Sequence, residues 1–137
     1  MSEEQSFSTD AEIRLRAELN HLPIVRSVAA TIAIREDFDL DTVEDVKLAV
    51  DEMCSTLIVR ARPGSVLSCK FQVSEGVIRL LAAVDSDSDQ PIDQHSFGWR
   101  VLRTLTDSVT TWLSEEGTDA RRLHIELVKA DGLDGAG

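Results

Sequence analysis

The most regular pattern in the chain is DTVEDVKLAVDEMCSTLIVRA, residues 41–61. Its apolar residues recur every three or four positions, which places them on one side of a helix. Asp41 and Glu44 have the spacing of a capping box, in which two side chains satisfy free backbone N–H groups at a helix start. The sequence therefore predicts a long amphipathic helix over residues 41–61. Its apolar stripe consists of Val43, Val46, Val50, Met53, Cys54, Leu57, Ile58 and Ala61.

The segments around this helix show further strand and helix patterns. Apolar and polar residues alternate, as in half-buried strands, over residues 13–19, 66–74 and 77–84, and two further runs, 110–114 and 123–128, flank a polar turn and predict a second hairpin. Helical spacing covers residues 22–35 and a second segment from Ser96 that includes Val101, Leu102, Leu105 and Val109. The polar stretch between residues 85 and 95 predicts a loop. The resulting order, β-α-α-β-β-loop-α-β-β, predicts an α+β sandwich. Its mixed, mostly antiparallel sheet has three helices on one face.

Length and charge restrict the possible functions. The chain has 137 residues, of which 42% are hydrophobic, and this suffices for one core but not for two ordinary domains. We expect a folded domain over residues 11–130, with flexible ends at 1–10 and 131–137. The net charge of −11 repels nucleic acid and anionic membrane surfaces, so neither is expected as a partner. Basic protein surfaces remain possible partners.

The two cysteines indicate a compartment. Cys54 and Cys69 lie in apolar stretches, and the sequence shows no apolar leader and no segment of membrane-spanning length. These features predict reduced thiols in the core of a cytoplasmic protein. Trp99 and Trp112 also lie in apolar runs and are expected in the core.

Two groups of polar residues could carry chemistry. Glu52 and Thr56, four residues apart, would project side by side from the long helix, where Glu52 could act as a general base under a pocket. The alternative is that Glu52 belongs to an ordinary solvated helix face. The alternating Asp85, Asp87 and Asp89 provide oxygen atoms that suit calcium, but the glycine and glutamate positions of an EF-hand loop are occupied by Gln90 and Ser96.

The histidines do not extend these groups into a metal site. His21, His95 and His124 lie far apart in the sequence and accompany no cysteine pair of zinc-binding spacing. No resident metal is therefore predicted.

The element order and four short segments resemble one protein family. The segments are Arg26 in the first helix, residues 48–61 around Glu52, Asp85 at the end of the third strand, and residues 96–109 beginning SFGWRVL. Gly117-Thr118 followed by Arg121-Arg122 also resembles the last hairpin of that family. Over about residues 11–129 the chain resembles the anti-sigma serine-protein kinases, members of the ATPase superfamily of gyrase and histidine kinases. The resemblance implies a Bergerat-type sandwich.

This resemblance implies roles for particular residues. Glu52 matches the catalytic base of the motif Glu-x-x-x-Asn, and Thr56 stands where the family has its magnesium-binding asparagine. Asp85 matches the aspartate that binds adenine, and Gly98 is what remains of the glycine-rich segment before the third helix. Asp87 and Asp89 replace the two glycines that follow this aspartate in the family motif, which adds bulk and negative charge near an anionic ligand. Binding of ATP and magnesium is therefore expected to be weak or absent.

The resemblance also implies partners. In that family a dimer captures an alternative sigma factor of the stress or sporulation class through the surface around the first helix. Arg26 matches an arginine that contacts both the sigma factor and an anti-anti-sigma protein. The leading hypothesis is an anti-sigma factor that sequesters its sigma factor and is released by the antagonist. The alternatives are an active serine kinase that phosphorylates the antagonist, with Glu52 as base, and a scaffold protein that binds another regulator.

Overall fold

Five strands and three helices make up the described part of the chain. A computed structural model describes residues 8–116 and 120–132, with side chains for 11–115 and 121–132. The strands are β1 Ser8–Arg16, β2 Val66–Ser74, β3 Val77–Ser86, β4 Ser108–Glu116 and β5 Ala120–Ala130. The helices are α1 Leu22–Arg35, α2 Leu40–Ile58 and α3 Phe97–Leu105, with a 3-10 turn at Leu19–His21 before α1.

The strands form one sheet in the order β1-β2-β3-β5-β4. Each of the four described pairings is antiparallel, so the sheet expected to be mostly antiparallel is antiparallel throughout these strands. A two-residue turn at Glu75-Gly76 joins β2 to β3, and Gly76 adopts φ +68°, a left-handed conformation that glycine reaches at little cost. The α+β sandwich predicted from the sequence is confirmed.

The helices cover one face of this sheet. Alternate residues of the central strands are buried toward the helices, among them Leu80 and Val84 on β3 and Leu123 and Leu127 on β5. The long helix α2 contributes Val50, Met53, Cys54 and Leu57, each fully buried. Burial of one such side chain contributes about 1.5–3 kcal/mol, so this single core accounts for much of the stability.

The start of α2 differs from the prediction. The cap is Asp39, whose carboxylate accepts a hydrogen bond from the Thr42 backbone N–H at 2.8 Å, and not Asp41 of the expected capping box. Asp131 accepts from the Asp39 backbone N–H, and the Gly132 N–H donates to the Thr42 hydroxyl. Asp131 is buried, so the first residues of the expected flexible tail pack against this helix start.

Other bounds of strands and helices also differ from the predicted ones. β1 begins at Ser8, within the segment expected to be flexible, and ends at Arg16 because the 3-10 turn follows. α2 ends at Ile58, three residues before the predicted end. α3 stops at Leu105, so Val109 lies in β4 and not in the helix as predicted. The rest of the two expected flexible ends, 1–7 and 133–137, and Gly117-Thr118 lie outside the described residues.

Candidate functional site

Three of the predicted site residues meet where α2 approaches the start of α3. The Thr56 hydroxyl donates a hydrogen bond to Oε2 of Glu52 at 3.2 Å, as the four-residue helical spacing allows. Gly98, the second residue of α3, lies directly against the same carboxylate, and a Cβ atom built there would overlap Oε2 of Glu52. We call Glu52, Thr56 and Gly98 the helix-junction cluster. Any side chain at position 98 would displace the Glu52 carboxylate.

The start of α3 is well formed at this cluster. Ser96 caps the helix, and its hydroxyl accepts a hydrogen bond from the Trp99 backbone N–H at 3.2 Å. The carboxylate of Glu52 therefore lies by the first turn of a helix, where free N–H groups and the helix dipole favour a negative charge. Trp99 is buried below, 3% exposed, as predicted.

Asp85 lies on the other face of the sheet. Its neighbours Val84 and Ser86 are both buried toward the helices, so the alternation of β3 turns Asp85 away from them. Asp85 is paired in register with Arg122 of β5, and Nη1 of Arg122 donates to Oδ1 of Asp85 at 2.8 Å. The structure therefore does not bring Asp85 together with the helix-junction cluster.

The acidic loop after β3 is held at the end of α2. The buried Ser86 hydroxyl donates to the Arg60 carbonyl at 2.9 Å, and the Ser88 N–H donates to the Ser86 hydroxyl. Arg62 forms an ion pair with Asp87 at 2.7 Å between Nε and Oδ1. Asp89 of the same loop is exposed.

Arg26 joins α1 to α2. Its Nη1 atom donates to Oδ2 of Asp51 at 2.7 Å, and each side chain is about one-third exposed. The predicted partner-binding arginine therefore has an ion-pair partner one residue before Glu52 and remains accessible at the surface.

The two cysteines are buried thiols, as predicted, and lie between α2 and β2. Sγ of Cys54 is 3.9 Å from Sγ of Cys69, and neither forms a disulfide. The hydrogen bond with Cys69, together with burial, raises the pKa of Cys54 well above its usual range. Because the thiolate is the reactive form, Cys54 is a structural residue and not a nucleophile.

The predicted ATP-binding residues do not form one pocket. The start of α3 in the helix-junction cluster favours an anion, and the Glu52 carboxylate already lies beside it. The residue matched to adenine recognition is on the opposite face of the sheet, paired with Arg122. The described residues therefore do not fit ATP in the way the resemblance implied.

Sequence reasoning missed two residues of the open face. Trp112, expected in the core, is 40% exposed and stacks on His124 with ring centroids 4.8 Å apart. The prediction was wrong because Val109, Thr111 and Leu113 pair with the buried residues of β5, which turns Trp112 outward. Arg122 was also missed as the partner of Asp85, since only the β3–β5 register brings them together.

The described residues contain neither a membrane-spanning helix nor a metal-binding cluster. No helix there is long and apolar enough to cross a membrane. In the same part of the chain, no group of three or more His, Cys, Asp or Glu side chains is arranged around a metal position.

The chain is similar to known proteins over most of its length. The Histidine kinase-like ATPase domain family matches residues 15–122. The "Anti-sigma-F factor RsbW" of Mycobacterium tuberculosis (strain H37Rv) is 34% identical over 101 residues, which cover 74% of this chain and 60% of that relative. The "Serine-protein kinase RsbW" of Bacillus cereus (strain B4264) is 24% identical over an alignment of 143 positions, which covers 88% of this chain and 89% of the relative. The chain thus spans less than two thirds of the mycobacterial relative. With its sheet, its helix-junction cluster and the match over most of its length, this chain belongs to the histidine kinase-like ATPase domain family, as an RsbW-type member.

Proposed function

We propose that this protein is an anti-sigma factor that binds and sequesters an alternative sigma factor of the stress or sporulation class. An anti-anti-sigma protein releases the sigma factor, and the anti-sigma protein acts as a homodimer in the cytoplasm. ATP binding is weakened or lost. The observation that carries this proposal is the exposed apolar side of α1 beside Arg26.

The outer side of α1 exposes two large apolar side chains, with the uncharged Ser27 and Thr31 between them. Val25, Ala29, Ile32 and Ala33 are buried in the core, while Ile24 is 47% and Ile34 is 58% exposed on the outer side. Over its fourteen residues only Arg26 and Arg35 carry charge. Large apolar side chains exposed on an otherwise uncharged helix side are typical of a protein contact, so the outer side of α1 favours a protein partner.

Sequestration requires surface and not catalysis. An anti-sigma factor inhibits by covering sigma surface that core polymerase needs, so the poor fit to ATP does not weaken the proposal. The net charge of −11 accelerates encounters with a basic partner surface. The names of the mycobacterial and Bacillus relatives support the same assignment.

The helix-junction cluster supports a second candidate function. Glu52 is held by Thr56 beside the start of α3, as a general base near a phosphate group would be. The corresponding proposal is an ATP-dependent serine kinase that phosphorylates the anti-anti-sigma protein. Radiolabelled ATP incubated with that protein tests it: Glu52→Ala abolishes labelling if Glu52 is the base, and equal labelling by variant and wild type removes Glu52 from the mechanism.

The anti-sigma proposal is tested by affinity capture. The tagged protein is incubated with lysate of its own host after nucleotide removal by apyrase, and retained proteins are identified by mass spectrometry. We expect an alternative sigma factor in the eluate. Ile24→Glu and Ile34→Glu should prevent its retention, whereas Val66→Glu, a control of similar exposure on β2 (42%), should not.

The remaining outcomes discriminate between the proposals. Recovery of a sigma factor only after MgATP is restored would show that nucleotide is required and would favour the kinase. Absence of any sigma factor under both conditions would contradict the anti-sigma proposal.

A further inference from the structure

The sheet face opposite the helices carries a shallow trough that the proposed sigma contact does not use. One row of paired residues crosses all five strands, in the order Trp112, His124, Ala83, Ser68 and Arg14. Paired residues of an antiparallel sheet point to the same side, so these five side chains form one line. We call this row the open-face trough.

Small side chains form the floor of the trough. Ala83 and Ser68 lie in the middle of the row, between Leu81 and Lys70 on one side and Arg122 on the other. A cavity of about 270 Å³ occupies this position. Four strand spacings of about 4.8 Å make the row roughly 19 Å long, which corresponds to about five or six extended residues.

The charged side chains beside the trough differ in whether they form ion pairs. Its carboxylates are all paired with arginines: Glu12 with Arg14 at 3.1 Å, Asp85 with Arg122 at 2.8 Å, and Glu126 with Arg79 at 3.1 Å. Lys70 and Arg16, in contrast, are exposed and form no ion pair with a described side chain; Glu12, opposite Lys70 in register, pairs with Arg14. A chain with a net charge of −11 therefore presents unpaired positive charge on this face.

An aromatic pair closes one end of the row. Trp112 stacks on His124 with an interplanar angle of 6°, and Nε2 of His124 is 2.8 Å from the Ser114 hydroxyl. These contacts fix the indole as a rigid platform that is 40% exposed. Such a platform accepts an apolar side chain at low entropic cost.

We propose that the open-face trough binds an extended acidic segment of a partner protein, one whose inward-facing side chains, at every second residue, include both apolar residues and carboxylates. The apolar residues pack on Trp112, Leu81 and Ala83, and the carboxylates pair with Lys70 and Arg16. The outer side of α1, which is proposed to contact the sigma factor, belongs to a different surface. A failure of sigma binding would therefore not contradict this proposal.

Two other occupants fit less well. A single nucleic acid strand would place a phosphate at every nucleotide in the field of a protein with a charge of −11, and it has no aliphatic groups for the apolar floor. A second copy packed face to face would offer Lys70 and Arg16 only the carboxylates of the same face, and the described ones already pair with arginines.

The test uses Trp112 as its reporter. An eight-residue peptide with two leucines followed by two glutamates at every second position and serines between them, blocked at both ends, is titrated into the full-length protein and followed by tryptophan fluorescence. Trp99 is only 3% exposed, so the signal comes from Trp112, and Trp112→Phe should abolish it. We expect a saturable change in fluorescence on peptide addition, and an affinity that falls as salt is added.

Charge-reversal variants locate the site. Arg16→Glu combined with Lys70→Glu should lower the affinity for the peptide by about tenfold or more, since two favourable charge contacts become repulsive. Arg103→Glu on α3, a matched exposed cation, should leave affinity within about twofold. Circular dichroism and urea titration confirm that the variants are folded.

Other results would overturn the proposal. These are no saturable change with the Glu-Leu peptide, equal binding of a Lys-Leu peptide, or equal losses in the trough and Arg103 variants. Binding of a thymidine oligonucleotide more tightly than the Glu-Leu peptide would indicate a nucleic-acid site. Loss of peptide binding at protein concentrations where the protein dimerises would indicate that the trough is an interface between two copies.

Discussion

The contact between Gly98 and Glu52 gives a sharp test of the helix-junction cluster. Because a Cβ atom at position 98 would overlap Oε2 of Glu52, Gly98→Ala must push the carboxylate aside. The displaced carboxylate loses its hydrogen bond from Thr56, which contributes about 0.5–1.5 kcal/mol. It also meets the packing cost of an added methyl group, about 1–3 kcal/mol where neighbours are rigid and less for the end of a flexible side chain.

An opposing effect comes from the helix itself. Replacing glycine by alanine favours a helix by up to about 1 kcal/mol, and by about half of that in the first turn. The net expectation for Gly98→Ala is destabilisation by about 0.5–2 kcal/mol. In a Glu52→Ala background the overlap is absent, so the same change should stabilise by about 0.5 kcal/mol.

The assay is urea unfolding followed by the fluorescence of Trp99, the neighbour of Gly98. The four proteins of the cycle are wild type, Gly98→Ala, Glu52→Ala and the double variant. The expected coupling energy is about 1–2.5 kcal/mol, well above the error of such cycles. Equal effects of Gly98→Ala in the two backgrounds would refute the described contact.

Three further predictions concern other parts of the chain. Arg26→Ala should lower the free energy of unfolding by only about 0.2–1 kcal/mol, because its ion pair is partly exposed, yet reduce sigma capture about tenfold or more in a pull-down titration; unchanged capture would exclude Arg26 from the interface. Hydrogen bonds from Thr42, chiefly from its side chain, hold the pKa of Asp39 below its usual range, so the cap stabilises the protein above the unfolded-state pKa and loses this effect as pH falls through the folded-state pKa. Asp39→Asn should therefore reduce stability in neutral urea titrations, with a difference that shrinks on acidification; a constant difference would contradict this cause. Cys54 and Cys69 should not react with a thiol reagent until urea unfolds the chain, and fast labelling of the native protein would show that the buried pair is accessible.

Periodicity alone predicted most of the fold. The bounds of α1, residues 22–35, agree with the structure, and all five strands lie where alternation placed them or within a few residues. The start of α2 could not be assigned, because Asp39 and Asp41 are equally good caps in sequence. The choice depends on Asp131 and Gly132, about ninety residues away, which pack against Asp39 and Thr42.

The candidate site was only partly predictable. Glu52 and Thr56 follow from helical spacing, and the proximity of Gly98 came from the family resemblance. The position of Asp85 relative to them depended on strand parity. Its neighbours Leu80, Ala82 and Val84 form the buried set of β3, so the alternation already indicated that Asp85 points the other way. Trp112 gave no such signal, since the residues before and after it in β4 do not alternate.

The central claim is capture of a sigma factor without nucleotide. Isothermal titration of the purified protein into its purified host sigma factor, after apyrase treatment and again with saturating MgATP, measures this directly. The account predicts a saturable complex with the same affinity in both conditions, unchanged by Glu52→Ala and weakened by Ile24→Glu. No complex without nucleotide, together with a tight complex that requires MgATP and Glu52, would contradict it.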